Sequence, residues 1–171
     1  LPLEEEYASK LLISVLEDEG FKIEKDIANM PTAFIAEYGD GRPIFGVLGE
    51  YDALPGLSQK VKAEKEPVKK GDPGHGCGHN LLGVGSLGAA MGIKKAIEDG
   101  DISGTIRYYG CPAEEQGVGK VFMAKEGVFN DLDACLAWHP LSINHPRMYR
   151  HLAITSVKFY FKGVSSHAAA S

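Results

Sequence analysis

Three short segments of the sequence carry side chains that commonly bind metal ions. They are His75-Gly76-Cys77-Gly78-His79-Asn80, Pro112-Ala113-Glu114-Glu115 and Trp138-His139-Pro140. Their thiolate, imidazoles and paired carboxylates form a ligand set suited to Zn²⁺, with Mn²⁺ as an alternative. The glycines around Cys77 leave the backbone free to turn both Cys77 and His79 inward. The segments predict a metal centre if the fold brings them together.

Each segment also has an ordinary structural explanation when it is taken alone. A His after a strand is often a hydrogen-bonded surface residue, and a Glu-Glu pair usually faces solvent. Cys111 and Cys135 are expected to be buried as small hydrophobic side chains. The metal hypothesis is favoured because three such segments follow strands or precede a helix in a single chain.

Two glycine-rich stretches resemble nucleotide-binding loops but lack the required context. Residues 83–88 match the dinucleotide pattern G-x-G-x-x-G, which needs a strand directly before it. Here a Gly/Pro-rich loop and His79 come first, so we expect these glycines to allow close helix packing instead. The stretch 117–120 fails as a phosphate loop, because position 114 is Glu and position 121 is Val.

The elements that must position these residues alternate between helices and strands. Hydrophobic periodicity predicts helices at 4–19, 80–98 and 118–125, and strands at 21–25, 32–38, 44–48, 105–109, 134–138 and 154–161. A Gly-, Pro- and Lys-rich loop spans 56–78. This order predicts an α/β sandwich with a mostly parallel sheet, whose ligands lie beyond the carboxyl ends of its strands.

Composition excludes several classes of function. The net charge of −5 argues against nucleic acid as a partner. The three cysteines are odd in number and widely spaced, so a reducing cytoplasm is expected rather than a disulfide framework. The apolar stretch 81–93 is shorter than the ~18–20 residues of a membrane span, which predicts a soluble protein without a membrane partner. The missing initiator Met and the abrupt end suggest a fragment of a longer protein.

The chain resembles the M20 family of metallopeptidases, and within it the aminoacylase-like amidohydrolases. The matching stretches are Leu48 to Leu57, Gly74 to Gly83, Arg107 to Glu115, Ala137 to Pro140 and Phe161 to Ala169. This resemblance implies a three-layer α/β/α catalytic domain, interrupted by a smaller ferredoxin-like lid that dimerises. Residues 1–151 would be the first part of the catalytic domain, and residues 152–171 the first strand of the lid.

The resemblance also implies roles for individual residues in a centre of two divalent ions, Zn²⁺ or Mn²⁺. Cys77, His79, Glu115 and His139 would be the metal ligands, with the Cys77 thiolate bridging both ions. The family takes its last ligand, a His, from a later segment that this sequence does not contain.

The remaining roles implied by the resemblance concern proton transfer and positioning. Glu114 would be the general base that accepts a proton from the attacking water and passes it to the leaving amine. Asp52 would fix the tautomer of His79. His167 would stabilise the oxyanion, acting across the dimer.

The implied reaction is hydrolysis of an amide bond in an N-acyl amino acid or a dipeptide-like substrate such as p-aminobenzoyl-glutamate. The protein is expected to form a homodimer through its lid, with a paralogous subunit as a further possible partner. A catalytically silent metal-binding or assembly subunit is the alternative. The Glu114-Glu115 pair favours the enzyme, because a purely structural site needs no spare carboxylate.

Overall fold

The computed structural model describes residues 1–146, 153, 157–167 and 169, which fall into two compact units, Leu1–Leu141 and Ser142–Ser171. The first unit contains three α-helices: α1 (Glu6–Asp18), α2 (His79–Glu98) and α3 (Gly119–Lys125). Its five strands are β1 (Lys22–Lys25), β2 (Phe34–Asp40), β3 (Ile44–Glu50), β4 (Gly104–Cys111) and β5 (Ala134–Leu136). Short 3₁₀ turns lie at Ile27–Asn29 and Glu114–Gln116.

The strands form one sheet in the order β1-β2-β4-β3-β5. β3 pairs in parallel with both β4 and β5, whereas β2 pairs antiparallel with both β1 and β4. Four strands therefore run in one direction and only β2 runs against them. The predicted α/β class with a mostly parallel sheet is confirmed.

Helices cover both faces of the sheet, because successive residues of a buried strand point to opposite sides. On one face, Tyr108 packs in a core with Leu16 of α1 and Leu87 of α2. On the other face, its neighbour Tyr109 packs with Met123 of α3 and Ile27. The result is the expected three-layer arrangement.

The connection between β2 and β3 crosses over the first residue of β4, which lies between those two strands. The backbone N–H of Thr105 donates to the carbonyl oxygen of Pro43 at 2.9 Å, and its hydroxyl donates to Gly41 at 2.8 Å. Gly104 has a φ of +125°, and a Cβ atom there would clash with the Pro43 carbonyl. This backbone approach requires glycine at position 104.

The predicted strand at 154–161 begins at residues outside the described part of the chain. The described residues 157–161 show no strand pairing. The assignment of 152–171 to a lid domain stays a prediction. Among the described residues, no helix combines the length and apolar character needed to cross a bilayer.

We predict that Gly104→Ala lowers the free energy of unfolding by about 1–3 kcal/mol. The alanine would have to adopt a positive φ, and its Cβ atom would clash with the backbone of Pro43. Gly88→Ala is the matched control, since a Cβ atom there meets no described residue within 4 Å. That helix substitution should raise stability by about 0.5–1 kcal/mol. Denaturant unfolding of both variants measures the difference, and equal stability would contradict the crossing.

Candidate metal centre

The carboxyl ends of the parallel strands β3, β4 and β5 meet at one edge of the sheet, where α2 begins. β3 ends at Glu50, β4 runs directly into the turn that carries Glu114 and Glu115, and His139 follows β5. Gly78, at the start of α2, has a φ of +83°, which glycine adopts without strain. The chain can therefore turn between Cys77 and His79, as the spacing predicted.

His79 is the buried centre of this edge, with none of its side chain exposed. Its Nδ1 lies 2.8 Å from Oδ1 of Asp52, which is itself 1% exposed. A carboxylate only accepts hydrogen bonds, so Nδ1 carries a proton, and the neutral form of the imidazole presents the lone pair of Nε2. The other oxygen of Asp52 accepts the backbone N–H of Glu115 at 2.9 Å. Burial alone would raise the pKa of Asp52, but the His79 hydrogen bond holds it below its usual value.

The Nε2 atom of His79 faces two carboxylates. It lies 3.1 Å from Oε2 of Glu50 and 3.6 Å from Oε2 of Glu114. Neither contact is a hydrogen bond, and both His79 Nε2 and Glu50 Oε2 are buried without a hydrogen-bond partner among the described residues. Burial and the Glu50 carboxylate raise the pKa of Glu114. Donor atoms from these three residues lie within 4.8 Å of one another.

A second group of donor atoms joins Cys77 and His139 to the same imidazole. Sγ of Cys77 lies 3.3 Å from Nε2 of His139, and one donor atom from each of Cys77, His79 and His139 lies within 4.8 Å of the others. Burial and the neighbouring Glu115 carboxylate raise the pKa of the Cys77 thiol. A cation in this space would oppose that effect and favour the thiolate.

The structure thus brings together three of the four expected ligands as one group. The fourth, Glu115, approaches the other side of the imidazole, with Oε1 3.9 Å from Nδ1 of His79 and buried without a described hydrogen-bond partner. Glu114 is the more exposed member of the pair. His167 lies in the second unit, where its Nδ1 accepts the backbone N–H of Ala169. The roles assigned to these residues stay predictions.

The donor set fits a divalent cation. Buried polar atoms without a hydrogen-bond partner are rare in folded proteins, and the described residues have three here, on Glu50, His79 and Glu115. Together with the Cys77 thiol they provide carboxylate, imidazole and thiol donors, which are typical ligands of Zn²⁺ and Mn²⁺. A bound cation would satisfy these lone pairs and reduce the repulsion among the carboxylates.

Sequence reasoning assigned no role to Glu50, Lys120 or Glu5. Lys120, from α3, donates to Oε1 of Glu50 at 2.6 Å. Burial alone would lower the pKa of Lys120, but the Cys111 thiol and the Glu50 carboxylate raise it. The sequence signal was that Glu50 closely follows the predicted strand 44–48 and lies two residues before Asp52.

Glu5 stabilises the turn that carries Glu114 and Glu115. Its buried carboxylate accepts the backbone N–H of Ala113 at 2.9 Å and the hydroxyl of Thr32 at 2.9 Å. Ala113 has a left-handed φ of +55°, which is unfavourable for a residue with a Cβ atom. The Glu5 hydrogen bond therefore helps to hold the strained residue that turns Glu114 and Glu115 towards the centre.

The glycine-rich start of α2 serves packing, as predicted. A Cβ atom on Gly83 would lie 2.8 Å from the Glu50 carbonyl oxygen, and one on Gly85 would lie 2.5 Å from the Trp138 ring. The residues directly before Gly83 belong to the first turn of the helix rather than to a strand. The dinucleotide pattern therefore lacks its structural context.

Cys111 is buried as expected, but Cys135 is exposed on the short strand β5, so the expectation that Cys135 is buried was wrong.

Comparison with known proteins assigns the chain to one family. Residues 46–166 match the family described as Peptidase family M20/M25/M40. The chain belongs to this family, which confirms the resemblance seen in the sequence.

Individual relatives sharpen the comparison. The chain is 48% identical to one of the subunits of p-aminobenzoyl-glutamate hydrolase from Escherichia coli (strain K12), over 98% of this chain and 35% of that protein. It is 35% identical to a Xaa-Arg dipeptidase of Homo sapiens, over 82% of this chain and 31% of that protein. The chain thus spans about a third of the length of these curated relatives.

A solved structure of similar fold is a dinuclear metal-binding peptidase of the M20 family from Bacillus subtilis. It superposes with a TM-score of 0.65 and 28% sequence identity, and the match covers 79% of this chain and 37% of that one.

We predict that Asp52→Asn weakens binding of a divalent ion about 10–100-fold, the usual effect of removing a partner that orients a ligand. The amide offers only one acceptor, so it cannot serve both His79 and Glu115, and the imidazole loses its fixed tautomer. Competition titration of Zn²⁺ against a chromophoric chelator measures the affinity. Asp99→Asn, at the exposed residue that directly follows α2, is the control and should bind like the parent protein. Equal affinity of both variants would contradict the role given to Asp52.

Proposed function

We propose that the protein containing this chain is a metal-dependent amidohydrolase. The observation that carries the proposal is the buried Nε2 of His79, held by Asp52 and facing carboxylate and thiol donors without a described hydrogen-bond partner. A pair of divalent ions, when bound, would polarise the amide carbonyl and lower the pKa of water. Membership of the M20 family and the dinuclear Bacillus subtilis relative support this proposal.

The adjacent residues Glu114 and Glu115 have different roles in this proposal. Glu115 is anchored through its backbone to Asp52 and is the more buried of the two, so it suits a metal ligand. Glu114 is more exposed, and its raised pKa suits a group that gains and loses a proton. In our proposal it accepts a proton from the attacking water as the C–O bond forms. It returns that proton to the leaving amine as the C–N bond breaks.

The substrate we propose is an N-acyl amino acid or a dipeptide-like amide, with p-aminobenzoyl-glutamate as the first compound to test. The 48% identity to the Escherichia coli hydrolase supports this choice. The name of that relative designates one subunit of an enzyme, so we also propose that the protein acts in an assembly. A homodimer through residues 152–171 and the segment that follows, or a pairing with a paralogous subunit, would be distinguished by the mass of the purified protein in solution.

The experiment that tests this function compares two substitutions in the full-length, metal-loaded protein. Glu114→Gln should lower turnover of p-aminobenzoyl-glutamate about 10²–10⁴-fold while metal content stays near that of the parent, because the amide keeps its size but cannot accept a proton. Glu115→Gln should instead lower metal content, measured by elemental analysis. Glu126→Gln, at the exposed residue that directly follows α3, is the control and should change neither quantity.

Two outcomes would contradict the proposal. An equal loss of metal in Glu114→Gln and Glu115→Gln would show that the division of labour is wrong. A parent protein that binds its metals but hydrolyses none of p-aminobenzoyl-glutamate, N-acetyl amino acids and dipeptides would favour the silent metal-binding subunit.

A further inference from the structure

Glu50 is a third glutamate at the metal centre, and neither the sequence nor the family resemblance assigned it a role. It is the last residue of β3, and its side chain is about nine-tenths buried. Its two oxygens have different surroundings. Oε1 accepts the ammonium of Lys120 at 2.6 Å, whereas Oε2 lies 3.1 Å from Nε2 of His79 and has no hydrogen-bond partner among the described residues.

This asymmetry is unusual for a purely structural ion pair. A buried carboxylate is stable only when hydrogen bonds compensate for its lost hydration, and such pairs normally satisfy both oxygens. Here the ammonium engages only the oxygen that points towards α3. The other oxygen is directed at Nε2 of His79, an arrangement that is repulsive unless a proton or a cation lies between the two atoms.

The start of helix α3 packs closely against the end of β4, and this packing positions Lys120. Its first residue, Gly119, lies so close to the carbonyl oxygen of Pro112 that a Cβ atom would clash with it. This contact ties the start of the helix to the end of β4 and places Lys120 beside Glu50. Lysine suits the task because its compact ammonium can approach one carboxylate oxygen alone, whereas the fork of arginine tends to engage both.

We propose that Glu50 is a further metal ligand, binding through Oε2 the cation that Nε2 of His79 binds, and that Lys120 is the positioning residue that holds Glu50 in this orientation. Because Lys120 occupies Oε1, only Oε2 of Glu50 would be free to bind a cation. Its positive charge also offsets part of the negative charge that Glu50, Glu114 and Glu115 bring to the centre. The inference rests on the proposed metal centre but does not require the reaction.

The test uses the full-length protein, freed of metal with a chelator and titrated with Co²⁺, whose visible d–d absorption reports the number and type of ligands. Glu50→Gln should weaken binding of one Co²⁺ equivalent at least about 10-fold and change the d–d intensity, since a charged ligand is lost. Lys120→Met should weaken the same equivalent, and Lys120→Arg should restore the affinity only in part, because the guanidinium tends to engage both oxygens of Glu50. Lys125→Met, an exposed position on the same helix, is the matched control and should leave binding unchanged.

A double variant separates ligation from general stability. In Glu50→Gln/Lys120→Met, affinity for Co²⁺ should equal that of Glu50→Gln alone, because Lys120 acts through Glu50. Thermal unfolding in chelator checks that each variant is folded before metal is added. If the metal-free Glu50→Gln protein is unfolded, Glu50→Asp is used in its place. Its shorter carboxylate should still weaken binding of the same Co²⁺ equivalent.

The opposite results would overturn the inference. Parent-like Co²⁺ affinity and d–d absorption in folded Glu50 variants would show that Glu50 serves only as the ion-pair partner of Lys120. Parent-like Co²⁺ affinity in Lys120→Met would contradict the positioning role of Lys120. A double variant that binds Co²⁺ more weakly than Glu50→Gln alone would contradict it as well. If the variants show the predicted Co²⁺ differences but the parent protein hydrolyses no amide, the proposed function is overturned and this inference stands.

Discussion

The candidate metal centre depends on the two hydrogen bonds that the Asp52 carboxylate accepts. One oxygen accepts the imidazole N–H of His79 and the other accepts the backbone N–H of Glu115. A single buried side chain therefore joins three elements: the end of β3, the start of α2 and the turn after β4. The same hydrogen bond keeps a proton on Nδ1, so the neutral imidazole presents the lone pair of Nε2 to the centre. Without Asp52, both the direction of the imidazole and the position of the glutamate pair would be free to change.

Close packing around this carboxylate gives the centre its shape. Gly83 and Gly85 let the first turns of α2 approach the Glu50 backbone and the Trp138 ring, and Trp138 in turn donates to Ser86 at 3.2 Å. His139 follows Trp138 directly, so the helix that carries His79 also fixes the segment that carries His139. Glu5 supplies a comparable constraint from the residue before α1, because it holds Ala113 in its strained conformation. The donor atoms of His79 and Glu50 are thus held by buried contacts, as preorganised sites require, whereas His139 is exposed.

The sequence predicted the parts of this structure that depend on local periodicity and on recognisable ligand types. The helix at His79–Glu98 and the strands that end near Glu50 and Glu115 were expected within a few residues. The reversed direction of β2 was not, because strand direction is set by which distant strand it pairs with. Glu50 and Lys120 were also missed, since a glutamate in a strand and a lysine in a helix look ordinary until folding places them 2.6 Å apart.

The most direct test of the role given to Asp52 and His79 is anomalous X-ray diffraction from crystals of the full-length protein loaded with Zn²⁺. We predict a metal peak at roughly 2.0–2.3 Å from Nε2 of His79, with donor atoms of the neighbouring glutamate, cysteine or histidine side chains at similar distances. Nδ1 should remain hydrogen-bonded to Asp52. A metal bound elsewhere, or an imidazole that binds through Nδ1 after leaving Asp52, would contradict the central claim that this hydrogen bond creates the site.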